Sequence, residues 1–306
     1  MGVGCDSRPG NQGQNAHAMA NTRELRRRIR SVKNIAKVTG AMQLIAASKM
    51  RRAQQAAEEG KAYADKIQAV LSDLVASLDP ENLPPEAALL AKREVSKTLM
   101  VLVTPDRGLC GALVSNILRA AATVVRESKT PIATVSVGRK GETFIVRTGN
   151  ELRAAFKLSD RPRFEETTPI TRIVVEEFKA QKADRVVIVY SDFKNLLIQR
   201  PVVTQLLPVE PSKAENAAQA SYIYEPNAPA VLERIVPRYI ETVVYHAILE
   251  AAASEHSARM VAMQKATDAA NDFVDDLTLD LNKARQEQIT SELLDIVGGV
   301  AAVQTG

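Results

Sequence analysis

The sequence predicts a mixed fold: an α/β domain inserted between two long terminal helices that pair as an antiparallel coiled coil. Three observations carry that prediction. Apolar residues recur at three-and-four spacing over long stretches at both ends of the chain, the pattern of extended helix. Short apolar runs alternate with amphipathic segments in the middle, the order expected of a sheet with crossover helices. The two ends also carry opposite charge. Residues 22–61 hold eleven Lys or Arg against three acids, whereas Asp268, Asp272, Asp275, Asp276 and Asp280 fall within thirteen residues near the other end. A basic arm beside an acidic arm fixes orientation and lowers repulsion.

Residues 1–19 form a leader that reads as disordered. It has neither the apolar stretch of a signal peptide nor the Arg-rich pattern of a transit peptide. Order is expected to begin after Met19, which reads as a natural start. The first helix occupies residues 20–79, with Thr22 as its N-cap. Leu25, Ile29, Val32, Ile35, Val38, Met42 and Ile45 give its apolar period, and no Pro interrupts before Pro80. Gly40 and Gly60 weaken the helix without ending it. At 1.5 Å per residue its length is about 80 Å, far beyond a globular helix. The Pro- and acid-bearing linker 80–94 then stops it.

The α/β domain spans 95–211. Strands are expected at 98–104, 131–137 and 185–193, helices at 111–128 and 170–183, and an edge strand at 201–209. A second linker, 212–229, leads into the C-terminal helix over 230–306, which Pro237 is expected to kink near its start. Met260, Met263, Thr267, Ala270, Val274, Leu277, Leu281 and Ala284 step alternately by three and four. That is a heptad seam and requires a partner helix. The first helix is the one other segment long enough, so its Ile35, Val38, Met42 and Ile45 are assigned to the opposing face.

Bulk composition excludes several classes. A length of 306 residues suits two domains, and 45% hydrophobic with 25% charged residues is ordinary for a folded chain. No apolar run approaches a transmembrane span. Two distant cysteines, Cys5 and Cys110, make neither a disulfide framework nor a zinc site, and they fit a reducing compartment. The acidic stripe shares one helix face and lacks the convergent ligands that a metal or an acid–base pair needs. His246 and His256 are not at metal spacing, while Glu255 and Arg259 stand at ion-pair spacing on a helix. TPDRGLCGAL (104–113) links a strand to a helix, but GLCG matches no phosphate-binding pattern, and Cys110 has no His near it in sequence. The basic TRELRRRIRSVKNIAK has no aromatics to stack on bases, so nucleic acid is not the expected partner. The residues alone give a structural or mechanical protein without a cofactor, a metal or a catalytic site. A coiled-coil scaffold and an α/β enzyme using Cys110 are the rival readings.

Three blocks carry a family resemblance: RELRRRIRSVKNIAKVTGAMQLIAASKMRRAQ (23–54), TPDRGLCGAL, and ASEHSARMVAMQKATDAANDFVDDLTLDLNKARQEQITSELLDIVGG (253–299). Together they resemble the gamma subunits of F-type ATP synthases. The family's turn reads GLCGG where this chain reads GLCGALVSN, and the redox insert of chloroplast forms is absent.

The resemblance implies a Rossmann-like domain between coiled-coil arms, and a non-catalytic rotor subunit that couples c-ring rotation to conformational cycling of catalytic beta subunits. It implies contacts with the alpha and beta subunits, the epsilon subunit and the c-subunit ring. It also implies a peripheral position on the cytoplasmic face of a bacterial plasma membrane, or the matrix or stromal face in an organelle. By motif, Arg285 and Gln286 resemble the pair that engages a beta-subunit loop, with Thr290 and Glu292 beside them. Met42 and Lys49 match the surface facing the acidic lever of beta, and Val297, Val300 and Val303 fall in an apolar bearing.

Overall fold

The computed structural model describes residues 12–76, 88–209, 224–225 and 227–304. Most of the leader and the greater parts of both expected linkers therefore lie outside the described residues. The chain divides into two compact units, one drawn from Met1–Gln43 and Met263–Gly306 and the other from Leu44–Ala262. Two helices contribute to both: α1 (Gln12–Ala76) and α5 (Ala228–Gln304).

The unit 44–262 is built on a five-stranded sheet. Its strands are β1 (Thr98–Val103), β2 (Ile132–Val137), β3 (Glu151–Phe156), β4 (Arg185–Phe193) and β5 (Gln199–Leu207), in the order β3-β2-β1-β4-β5. The first four run parallel, and β5 pairs antiparallel with β4 along a hairpin. β1 is buried at every position because both sheet faces are covered, which explains its unbroken apolar run. Period-two alternation divides its side chains. Met100 and Leu102 pack with Leu113, Ile117 and Ala121 of α2 (Leu113–Glu127) and Ile145 of α3 (Arg139–Thr148). Leu99, Val101 and Val103 belong to the opposite core, with Ile170, Val174 and Phe178 of α4 (Phe164–Lys179) and Leu232, Val236, Ile240 and Val244 of α5. Leu71 and Leu74 of α1 close that second core. Fully buried side chains of this size contribute about 1.5–3 kcal/mol each.

Within this unit α1 and α5 run antiparallel. Lys49 and Arg52 lie near His256, Tyr63 meets Arg238 at 3.3 Å, and Leu71 shares a core with Leu232. Arg238 also stacks 4.1 Å over the Phe164 ring, tying α4 to the pair. In the unit formed by 1–43 and 263–306, Thr39 and Thr267 join the two helices through their hydroxyls at 2.7 Å. Along α5, Met263, Ala270, Val274 and Leu277 are buried, and Met260, Leu281 and Ala284 are half-buried.

Several expectations are corrected. Ile35, Val38 and Ile45 do not line the inner face: they are 52%, 59% and 57% exposed. The α1 positions turned inward are Thr22, Leu25, Ile29, Val32, Ala36, Thr39, Gln43, Ala46 and Met50, all buried or half-buried and again spaced by three and four. Leu25, Ile29 and Val32 fall where expected, and from residue 36 onward the inward phase trails the predicted one by a residue, placing the small Ala36, Thr39 and Ala46 on the inner face. Met42 is half-buried at its margin. Thr22 is not an N-cap but lies inside α1, which begins at Gln12, since QGQNAHAMA contains three Ala and no Pro to stop helix propagation.

α4 begins at Phe164 rather than 170. Glu166 draws that start together by accepting Ser159 N, Ser159 Oγ and Arg163 N at 3.0, 2.8 and 3.3 Å, with Pro169 accommodated in the second turn. α3 and β3 were not predicted. α5 continues through Pro237 as one helix.

Candidate interaction surfaces

In an open α/β sheet a ligand sits outside the carboxyl ends of the strands, where the strand order reverses. Here that point lies between β1 and β4, and α5 fills it. Ser254 Oγ donates to Ser191 O at 3.0 Å, and Ser257 Oγ donates to Leu196 O at 2.8 Å. Arg259 pairs with Glu255 at 2.7 Å and donates to Gly108 O at 3.2 Å and Arg107 O at 3.5 Å. The β1–α2 turn that a phosphate would occupy thus has its carbonyls engaged by a guanidinium of the same chain.

The turn itself is tight. Leu109 and Gly111 take positive φ of 62° and 58°. Cys110 is buried, its thiol donates weakly to Arg107 O at 3.9 Å, and burial pushes its pKa up. A buried thiol with a raised pKa is a poor nucleophile. On the adjoining turn Gly138 has φ +96°, and a Cβ there would stand 1.9 Å from Thr104 O. Only glycine allows β1 and the start of α3 to approach so closely. Among the described residues no group of three His, Cys, Asp or Glu is placed to hold a metal ion.

Around this end of the sheet lies a charged cluster. Lys49 of α1 reaches Asp160 on the β3–α4 connection at 2.6 Å. That hydrogen bond, chiefly, holds the Asp160 carboxyl below its usual range. His256 sits beside them, 7% exposed, and accepts from Arg259 Nη1 on its Nδ1 at 3.4 Å. Burial, with the nearby Arg259, Lys49 and Arg52 cations, lowers its pKa from 6.5 to about 4, against an opposing pull from Asp160. The imidazole is therefore neutral at physiological pH. The structural role expected for His256 has this physical basis, and the Glu255–Arg259 pair was legible from its spacing. Asp160 was not, since 111 residues separate it from Lys49.

The other assigned residues lie along α5. Arg285, Gln286, Thr290 and Glu292 are exposed. Thr290 Oγ1 donates back to Gln286 O at 2.9 Å, and Glu292 accepts Gln288 Nε2 at 2.8 Å. Val297 and Val300 are 64% and 55% exposed, and the side chain of Val303 lies outside the described residues. Leu293, Leu294 and Ile296 are exposed nearby, and the five Asp residues of the acidic stripe face solvent. The two helices thus bury one apolar seam and leave a second set of large apolar residues uncovered: Ile35, Val38, Leu44 and Ile45 on α1, and the Leu293–Val300 group on α5. Single exposed apolar residues are ordinary, but contiguous ones mark a contact surface.

The chain is similar to known proteins. A family model described as ATP synthase matches residues 21–303. The ATP synthase gamma chain of Dehalococcoides mccartyi strain CBDB1 is 49% identical over 286 residues, covering 93% of this chain and all of that protein. The ATP synthase gamma chain of Chloroflexus aurantiacus J-10-fl is 46% identical over 290 residues, covering 93% and 99%. Among solved structures, a chain of the Euglena gracilis mitochondrial ATP synthase, OSCP/F1/c-ring in rotational state 3, aligns with a TM-score of 0.66 at 20% identity, over 94% of this chain and 96% of that one. A central stalk/c-ring chain from Tetrahymena thermophila aligns with a TM-score of 0.57 at 23% identity, over 75% and 99%.

Proposed function

The chain belongs to the ATP synthase gamma-chain family and is a rotor subunit of that machine; from this premise we propose that it carries no catalytic site and transmits rotation as an asymmetric shaft. Its partners in this reading are the alpha and beta subunits around the coiled coil, and the epsilon subunit and c-subunit ring at the other end. It is held peripherally on the cytoplasmic face of a bacterial plasma membrane, and no described helix is long and apolar enough to cross one.

The observation that carries the reading is the second apolar surface. Ile35, Val38 and Ile45 are exposed while the seam behind them is already filled. A helix pair that keeps such residues outside is suited to enclosure by other chains. Coupling then follows from population shift. To drive a catalytic site from about 1:99 to 99:1 between two conformations, the shaft must favour one by about 5.5 kcal/mol. One buried aliphatic side chain contributes about 1.5–3 kcal/mol. Two to four residues meeting one conformation and missing the other therefore suffice, and an asymmetric shaft offers a different set to each site. A shaft touching all sites alike would shift nothing.

Arg285 and Gln286, exposed on α5, are proposed to engage a beta-subunit loop, with Thr290 and Glu292 beside them. Met42 and Lys49 face the same ring from α1, and Val297, Val300 and Val303 form an uncharged bearing. The test is a reconstituted membrane complex carrying Arg285→Ala with Gln286→Ala. Proton-driven ATP synthesis should fall while the complex still assembles. Unchanged synthesis would remove the pair from the coupling surface.

A further inference from the structure

Within the unit 44–262, the stretch 51–66 of α1 is held to its surroundings sparsely. None of its described side chains is buried, and its half-buried positions at steps of four, three and four are Ala53, Ala57, Gly60 and Ala64. Side chains of this size make few contacts and resist sliding little. Arg52, Gln54 and Gln55 make their hydrogen bonds within the helix, to Ser48 O, Glu58 and Glu59. Among the described residues, one side-chain hydrogen bond joins this stretch to another element: Arg238 Nε of α5 donates to Tyr63 Oη at 3.3 Å.

Arg238 is engaged on other sides as well. Its guanidinium carbon lies 4.1 Å from the centre of the Phe164 ring and 5.9 Å from that of Tyr63, so one planar cation meets a ring of α4 and a ring of α1. Glu241, on the next turn of α5, accepts from Nη1 at 3.3 Å and orients the side chain from its own helix. Phe164 is fixed in turn, because the Tyr245 ring meets it edge-on at 5.4 Å and Tyr245 Oη donates to Pro162 O at 3.4 Å. Three helices of the unit converge on this one side chain. The residue before it is Pro237, which has no N–H to give to the Glu233 carbonyl. α5 is therefore one hydrogen bond short, and bends most easily, at the level where Arg238 reaches across to α1 and α4.

We propose that Arg238 is a positioning residue for rotation: a clasp that holds α1 against twisting relative to α4 and α5 within this unit, and so adds torsional stiffness to the rotor. The core around Leu71 and Leu232 holds α1 at one end of the sparse stretch, and the clasp extends that grip along it. The proposal deepens the rotor reading and rests on it.

Single-molecule rotation of this chain assembled with alpha and beta subunits tests it. The catalytic ring is fixed to a surface, and a gold rod is attached through Ser115→Cys, an exposed position on α2, in a chain carrying Cys5→Ser. While the complex waits for ATP, the angular spread of the rod reports torsional stiffness. Arg238→Ala should widen that spread while the rate of ATP hydrolysis is unchanged. Tyr63→Phe, which removes only the hydroxyl of a half-exposed ring, should widen it less, and it decides the matter alone if Arg238→Ala fails to assemble. Asp184→Asn, which weakens the unit at hydrogen bonds to Ser96 and Lys97, should leave the spread as it is. An unchanged spread in both clasp variants would overturn the proposal, and so would equal widening by Asp184→Asn. A wild-type rod that stayed still during hydrolysis would instead sink the rotor reading.

Discussion

His256 provides a direct test of how the charged cluster at the carboxyl end of the sheet is built. Its imidazole is buried against α1 and the β3–α4 connection, and its pKa stands near 4 in the folded protein against 6.5 for the free group. Acid therefore protonates the unfolded chain first. The stability that His256 contributes is fully present above pH 6.5 and is lost as the pH falls from there toward 4. At about 1.36 kcal/mol per pH unit, the loss by pH 5 is about 2 kcal/mol. Neighbouring Glu255 works in the opposite direction. Burial raises its pKa, so the folded state binds that proton more readily and gains stability as the pH drops. The wild-type curve sums the two effects, and a His256→Gln variant, which keeps an acceptor but cannot take a proton, separates them. Urea denaturation of both proteins at pH 7.5 and pH 5 should show the wild type losing about 2 kcal/mol more than the variant over that interval. Parallel losses in the two proteins would refute the placement of a neutral, buried imidazole among Lys49, Arg52 and Arg259.

Two further substitutions probe the α/β unit. Gly138→Ala places a Cβ 1.9 Å from Thr104 O at a φ of +96°, so denaturation should show a loss of about 3 kcal/mol or more from backbone strain and overlap together. Gly60→Ala, in α1 with nothing within 4 Å of the new Cβ, should instead gain about 0.5–1 kcal/mol by helix propensity in the same assay. Asp184 is buried and accepts Ser96 Oγ at 2.7 Å and the Ser96 and Lys97 amides at 3.0 Å each, which together hold its carboxyl below the usual range. Asp184→Asn should cost about 1–3 kcal/mol at neutral pH. The wild type should lose this advantage as pH falls below the ordinary carboxylate range, so thermal melts of the two proteins should converge in acid.

Where burial is two-sided, the sequence was easy to read. TLMVLV and the VVIVY within RVVIVYSDF are continuous runs dominated by apolar residues because both sheet faces are covered, and they appear in β1 and β4 at the expected places. The segment RKGETFIVRT forms α3, amphipathic but only ten residues long and bounded by Gly138 and Gly149, and ELRAAF of β3 alternates between exposed and half-buried positions. Hydrophobic size misled the reading of α1. Both phases of three-and-four spacing are present, and choosing Ile35, Val38 and Ile45 over Ala36, Thr39 and Ala46 selects the wrong face. The Lys49–Asp160 pair and the anchoring of Leu196 by Ser257 depend on long-range topology and leave no local trace. The family blocks, by contrast, were continuous in sequence, so the rotor assignment did not depend on choosing the correct helix face.

The inner face of α1 uses small residues while large ones are exposed. In the unit formed by 1–43 and 263–306, Ala36 lines the inner face, beside the Thr39–Thr267 hydroxyl pair at 2.7 Å. Such a seam buries less apolar area than one of Ile and Leu, and so holds the helices together less strongly by itself. The larger residues of α1 are left on the outside, as a surface suited to enclosure. A coiled coil designed only for its own stability would place Ile35, Val38 and Ile45 inward. Their position on the outer face indicates that the energy of this helix pair is directed toward a surrounding assembly, in keeping with a shaft whose contacts must differ from one catalytic site to the next.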